Sequence, residues 1–239
     1  MPDSSLLPEA QARAEVCRVG RSLFERGYVH ATAGNISVRL SDGFLITPTD
    51  ACLGTLDPAR LAKVGIDGVQ LSGDRASKTL ALHRRIYEAT ATAGEPAACV
   101  IHTHSTHLVA CSLEQQACAP GPADPAGAET PDLLPPITPY FVMKVGHVPH
   151  IAYHRPGAPD AADAVARAIA AHAAAGHRIR AVMLARLGPN VWHDSPAAAM
   201  ATLEELEETA RLWVRAPRPI RALDADQIEE LRRHFGARW

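Results

Sequence analysis

Two histidines one residue apart, His102 and His104, close an apolar run that begins at Cys99. On an extended strand such residues project to one face, so together they can grip a single metal ion. Neutral imidazole is the commonest side-chain ligand for zinc, but a lyase-type site needs at least one further imidazole or carboxylate brought from elsewhere. The plainer alternative is two polar residues satisfied separately.

A second group of residues suits an anion. Gly34-Asn35 is followed by Thr47-Pro48-Thr49-Asp50. Together they offer backbone N–H groups, an amide and hydroxyls, and glycine lets a ligand approach the main chain closely. Gly-Asn turns and Thr-Pro loops also serve as ordinary punctuation. Ser77-Lys78-Thr79 stands before a predicted helix, where Ser77 or Thr79 can simply cap it.

The elements that must position these residues follow from hydrophobic periodicity and turn signals. Ala12, Val16, Val19 and Leu23 form one stripe of a helix over 8–26, with Gly27 as its stop. A small-residue turn at 30–34 enters a strand reaching Leu40, and Asp42-Gly43 leads into a second strand over 44–46. A strand over 69–72 and a helix over 80–92, with Leu82, Ile86 and Ala89 inward, come next. The histidine pair lies on an extended run over 99–107. The segment 117–136, rich in Pro, Ala, Gly and acidic residues, reads as a long exposed loop. Strands over 140–145 and 148–153 flank Gly146; a helix over 159–175 and a buried strand over 179–185 follow. A helix over 196–214 carries Glu204, Glu205, Glu207 and Glu208 on a solvated side. The last helix, 224–234, belongs to a C-terminal extension over 217–239 and buries Ile228, Leu231 and Phe235.

A chain of 239 residues with 47% hydrophobic and 21% charged residues can bury one substantial core, which suits a single α/β domain over 1–239. A formal net charge of -2 gives no electrostatic case for nucleic acid or an anionic membrane, so a small-molecule substrate is the expected partner. Five cysteines, odd in number and without CxxC spacing, argue against a disulfide framework and a thiolate zinc site; a cytoplasmic location fits. No run approaches the ~18 apolar residues of a membrane span.

With these pieces in order, the chain resembles the class II aldolase/adducin family over about 15–214. The resemblance rests on Thr32-Ala33-Gly34-Asn35-Ile36-Ser37, Ile46-Thr47-Pro48-Thr49, Ser77-Lys78, Val100-Ile101-His102-Thr103-His104-Ser105-Thr106-His107 and Glu204-Glu205-Leu206-Glu207-Glu208-Thr209-Ala210. Within the family it is most similar to the 3-oxo-tetronate 4-phosphate decarboxylase branch, through Arg21-Ser22-Leu23-Phe24-Glu25-Arg26-Gly27, the segment 53–61, Thr138-Pro139-Tyr140 and Arg155-Pro156-Gly157. The resemblance implies an α/β/α fold, a central mostly antiparallel sheet flanked by helices, and a C4 homotetramer with active sites between subunits. It also implies a divalent ion, typically zinc, held by three histidines, with a glutamate as ligand or acid/base. The ion stabilises the enediolate formed when a C–C bond breaks. By position, His102 and His104 are the first two ligands; Asn35, Thr49, Ser77 and Lys78 line a phosphate pocket; Tyr140 reaches across the subunit interface.

Two departures qualify that implication. Thr79 stands where the family pattern has its glutamate, and Leu187, in Arg186-Leu187-Gly188-Pro189, stands where it has the third histidine. Two histidines completed by water bind zinc far more weakly than three or four ligands, and loss of a general acid/base typically costs ~10²- to 10⁴-fold in rate. Asp50, beside the anion loop, would repel a dianion. Arg186 is a candidate to bind a carboxylate or a developing oxyanion, against the alternative of a plain salt bridge. His30, His107, His147, His150, His154 and His193 are candidate replacement ligands or bases, each with a structural role as the alternative.

Three readings stay open at this level. The first is a diverged carbon–carbon lyase acting on a small carboxylate or carbonyl compound, with no metal or a weakly bound one, in which His102, His104 and Arg186 perform the acid–base and anion-binding chemistry. The second is a metal-dependent decarboxylase or aldolase with a recruited ligand. The third is a non-catalytic assembly protein of the adducin kind.

Overall fold

The computed structural model describes residues 6–118 and 130–239. Most of the expected 117–136 loop lies outside the described residues. The chain divides into two compact units, Met1–His104 with Val191–Met200, and Ser105–Asn190 with Ala201–Trp239. The fold is mixed α/β with a central, mostly antiparallel sheet and flanking helices, in agreement with the expected class.

In the first unit the strand order is β4 (Gln70–Ser72), β3 (Ala62–Gly65), β2 (Gly43–Ile46), β1 (Asn35–Leu40), β5 (Cys99–His102) and the last residues of β8 (Gly188–His193). The β1–β2, β2–β3, β3–β4 and β1–β5 ladders are antiparallel. Helix α1 (Glu9–Glu25) buries the anticipated stripe of Ala12, Val16, Val19 and Leu23 and stops before Gly27, whose φ of 73° suits the residue following a helix. Helix α2 (Leu80–Thr92) has the expected bounds but a different buried face: Leu80, His83, Ile86, Tyr87 and Thr90. Leu82 and Ala89 sit at its margin, because the polar tips of His83 and Tyr87 find a buried partner on β1.

In the second unit β8 begins beside β7 (Ala181–Leu184), which pairs in parallel with β6 (His150–Ile151). Two helices there correct the sequence reading. The run after His102 is not a continuous strand: β5 ends at His102 and α3 (Thr106–Cys118) follows. Residues 140–145 are not a strand either. Residues 140–144 lie in α4 (Pro139–Lys144), with Val145 as its C-cap; Thr138 accepts the Phe141 N–H at 3.1 Å and Pro139 occupies the first helical turn. The expected strand over 148–153 shrinks to β6. Helices α5 (Pro159–Ala174), α6 (Pro196–Arg215) and α7 (Ala225–Phe235) are close to their expected bounds. However, Ile228, Leu231 and Phe235 are not buried, and Phe235 is 66% exposed. Periodicity located that apolar stripe, but Trp239 is the residue that packs on Phe141 and His147. Among the described residues no helix is long and apolar enough to cross a membrane.

Candidate active site

Asn35 opens β1 and lies directly opposite His102, the last residue of β5. Cross-strand partners project to one face, as do residues two apart on a strand, so Asn35, Ser37 and His102 share a face. Gly34 makes the approach possible: its φ is 84°, and a Cβ there would lie 2.7 Å from Val29 Cγ1 and 2.9 Å from the His102 carbonyl oxygen. His104 has left the strand, yet its ring centroid is 5.1 Å from that of His102 and 6.3 Å from that of His30. The histidine pair thus survives the loss of the strand geometry that suggested it.

The anion-loop residues also converge. Thr47 Oγ1 accepts the Ile36 N–H, the Ile36 carbonyl accepts the Thr47 N–H, and the Thr47 carbonyl accepts the Ser77 N–H. Thr49 is spent on building this junction, its N–H going to Arg75 O and its hydroxyl to Ala76 O. Ser77 Oγ lies 2.5 Å from Thr79 Oγ1, so Thr79, at the helix N-cap position, pairs with Ser77 and caps nothing with its side chain. Lys78 and Asp50 are exposed, and Asp50 adopts a left-handed φ of 57°.

A buried hydrogen-bond chain beneath this face escaped the sequence reading. Tyr87 takes a backbone hydrogen bond from Val100; its hydroxyl is 2.7 Å from Ser37 Oγ, which is 2.8 Å from His83 Nδ1. Every hydroxyl proton finds an acceptor when Tyr87 donates to Ser37 and Ser37 donates to His83 Nδ1, which leaves the His83 proton on Nε2. Among the described residues that Nε2 has no partner, and neither does the buried Oδ1 of Asn35. Burial, reinforced by nearby His102, holds the His83 pKa down to about 3. Burial, then His30, lowers that of His104. Both rings are neutral at pH 7 and offer N–H donors together with nitrogen lone pairs.

The second unit holds the other candidates. Tyr140 is 61% exposed in the first turn of α4. Arg186 is exposed, with φ of 63°, and Leu187 donates its N–H to Leu184 O at 3.1 Å. Glu207 corrects the solvated-helix reading: it is 4% exposed and accepts the N–H groups of His107 and Leu108 at 3.0 and 3.1 Å, with His107 Nδ1 at 2.8 Å. Those are orphan donors of the first turn of α3, so Glu207 caps that helix from a distance. His107 and Glu207 are thereby committed to structure. His150 bonds Ser112, His147 bonds Asp132 and His193 bonds Asp194.

The donors do not fit the three-histidine ion that the resemblance implies. Among the described residues no three His, Cys, Asp or Glu side chains form a group able to hold a metal ion. Thr79 turns its hydroxyl to Ser77, and leucine at 187 has no donor.

The comparisons with known proteins agree with this architecture. A protein of Cupriavidus necator named 3-oxo-tetronate 4-phosphate decarboxylase is 52% identical over 239 residues, covering 97% of this chain and 99% of that one. The crystal structure of YgbL from Escherichia coli superposes with a TM-score of 0.76 at 38% identity, covering 94% of this chain and 99% of that one. An L-fuculose 1-phosphate aldolase shares the fold, with a TM-score of 0.76 at 19% identity over 98% and 99% of the two chains. The protein is a carbon–carbon lyase-like enzyme. Residues 14–214 match the family described as Class II Aldolase and Adducin N-terminal domain, and the chain belongs to that family.

Proposed function

We propose that this enzyme decarboxylates 3-oxo-tetronate 4-phosphate or a close 3-oxo sugar acid, through its own imidazoles and with weakened or no dependence on a metal. The observation that carries the reading is the His102–His104 pair, 5.1 Å apart, beside the unpartnered Asn35 Oδ1. The substrate class is that named for the Cupriavidus necator relative.

A 3-oxo acid loses CO2 when the bond between its carboxylate carbon and C2 breaks and the electron pair enters an enolate across C2 and C3. A proton then adds to C2. The requirement is therefore stabilisation of the enolate oxygen and a proton source at C2. His102 and His104 are assigned these two tasks: one ring directs an N–H at the enolate oxygen, and the other, having taken a proton from solvent, gives it to C2 and returns to its neutral form. Asn35 Oδ1 accepts from the substrate hydroxyl. Ser77 and Lys78 are assigned the phosphate. Thr49 supports the loop, since both of its donors are committed. In a C4 tetramer, Tyr140 would serve a neighbouring subunit.

The test is release of CO2 and dihydroxyacetone phosphate from 3-oxo-tetronate 4-phosphate, before and after exhaustive chelation. Turnover within about twofold of the untreated enzyme after chelation, and a loss of ~10²- to 10⁴-fold in His102→Ala, are expected. No turnover with or without added zinc, manganese or iron overturns the substrate. Turnover restored only by metal overturns the metal-independent chemistry.

A further inference from the structure

His147, which follows α4, is surrounded by aromatic rings of the second unit. It stacks on Trp239, with ring centroids 4.4 Å apart and planes at 27°, and Trp239 also meets Phe141 of α4 edge-on at 5.5 Å. His177 stands edge-on to His147 at 4.8 Å, and His172, near the end of α5, lies 5.9 Å from it. Helix α7 packs on α4, and its Arg232 donates to the Trp239 backbone oxygen. Trp239 thus joins the last helix to a cluster of three histidines. Helix α7 itself buries no residue, and an element with few buried contacts opens at low cost.

Hydrogen bonds fix the protons of two of these rings. Asp132 Oδ1 accepts the Val148 N–H at 2.9 Å, and Oδ2 lies 2.5 Å from His147 Nδ1. A carboxylate only accepts, so Nδ1 of His147 carries the proton. The Ala168 carbonyl holds the Nδ1 proton of His172 in the same way, at 2.9 Å. Nε2 of each neutral ring is then a lone pair, and that of His147 is buried without a partner among the described residues. Among those residues no three such side chains could hold a metal ion, so what the cluster takes up is protons.

The charges around the cluster decide how many it can hold. A proton on His147 is balanced by Asp132, and an imidazolium keeps its attraction to the Trp239 face. A second proton, on His177 or His172, meets the His147 imidazolium at 4.8 or 5.9 Å. Burial first, then His147, His172 and Arg232, lower the His177 pKa, and Asp132 opposes them. The docked state therefore refuses a proton that a released one accepts. Docking is complete above the ordinary histidine value of about 6.5 and weakens as pH falls below it.

We propose that the C-terminal segment, α7 with residues 236–239, is a latch held by Trp239 on His147 and opened in acid when the histidine cluster takes up more than one proton.

The test is fluorine-19 NMR of the protein labelled with 5-fluorotryptophan. Its three resonances, from Trp192, Trp213 and Trp239, are assigned by replacing each residue with phenylalanine. Between pH 8 and pH 5 the Trp239 resonance should move to the shift of a solvent-exposed indole, with a midpoint between about 6.5 and 5, while those of Trp192 and Trp213 stay in place. His177→Gln, which cannot take the proton, should lower that midpoint by about half a pH unit or more. Asp132→Asn, which removes the balancing carboxylate, should raise it by about as much. A Trp239 resonance unmoved at pH 5 would show that no latch opens. One that moves together with Trp192 would show unfolding of the whole chain, and equal midpoints in wild type and His177→Gln would remove the histidines as the trigger; each of these overturns the proposal. The wild-type profile decides even if a variant fails to fold, and no outcome depends on turnover.

Discussion

Glu207 and Asn35 are both polar residues withdrawn from water, at 4% and 7% exposure, yet their surroundings differ in kind. The Glu207 carboxylate takes three donors from the start of α3, and its charge is met by hydrogen bonds at 2.8 to 3.1 Å. The Asn35 oxygen takes none, and His83 Nε2, in the same unit and bonded through Nδ1 to Ser37 beneath the same face, is likewise without a partner among the described residues. Buried polar groups are normally satisfied, so a satisfied one belongs to the scaffold and an unsatisfied one is held for water or a ligand. The contrast separates a group spent on the start of α3 from the face that would receive the substrate.

Removal of the satisfied group should have the largest effect on folding. Glu207→Ala strips three donors of their acceptor, two of them helix-start N–H groups with no intrahelical partner. The expected cost is about 3 kcal/mol. For a chain of this length that corresponds to a fall of roughly 6–12 °C in the thermal midpoint. Glu207→Gln, which keeps an acceptor oxygen, should lose less. Calorimetry of the two variants decides; a midpoint unchanged in Glu207→Ala would show that water replaces the carboxylate and that the comparison with Asn35 has no force.

His83 tests the other side through pH. Its folded pKa of about 3 lies below the ordinary 6.5 because the buried ring resists charge. The unfolded chain therefore binds a proton that the folded protein refuses between those values. Stability is complete above pH 6.5 and falls as pH drops from 6.5 toward 3, with a slope of up to ~1.4 kcal/mol per pH unit from this residue. Urea titrations at a series of pH values should show that slope reduced by one proton's worth in His83→Leu. Equal slopes in the two proteins would mean that water or a neighbouring group lets His83 ionise in place.

Much of this was legible in the chain itself, for identifiable reasons. The α1 stripe and the β1–β2 hairpin announce themselves because their signals are local: four apolar residues at helical spacing, and Asp42-Gly43 between two strands. The His102–His104 pair and Asn35 were found by residue type and by motif, although the strand thought to present both histidines ends at the first. The His107–Glu207 pair was not legible, because its members lie 100 residues apart and Glu207 sits among three other glutamates at surface-like spacing. Nothing local told the buried one from the rest. His83 was passed over for a similar reason, since its partner Ser37 is 46 residues distant. Helix α4 is different. Thr138-Pro139 carries a capping signal in plain view, but the apolar run Tyr140-Phe141-Val142-Met143 after it reads equally as a strand.

The smallest effect on stability, and the sharpest on the comparison, should come from Asn35→Leu. The substitution removes an amide oxygen that has already lost its water without gaining a partner, so the fold gives up no hydrogen bond at that atom and sheds the desolvation cost of keeping it buried. Leucine is close in size to asparagine and has β-propensity enough for the first position of β1. The thermal midpoint should stay within about 2 °C of wild type, or rise. Turnover should nonetheless fall about tenfold or more under the proposed assignment, in which the Asn35 oxygen accepts from a substrate hydroxyl that carbon would leave unsatisfied. Stability kept and turnover lost would mark Asn35 as a group held in reserve for ligand. Stability lost with turnover per folded molecule intact would place Asn35 with Glu207 in the scaffold, and the receiving face would have to be sought around His30 and His104 instead.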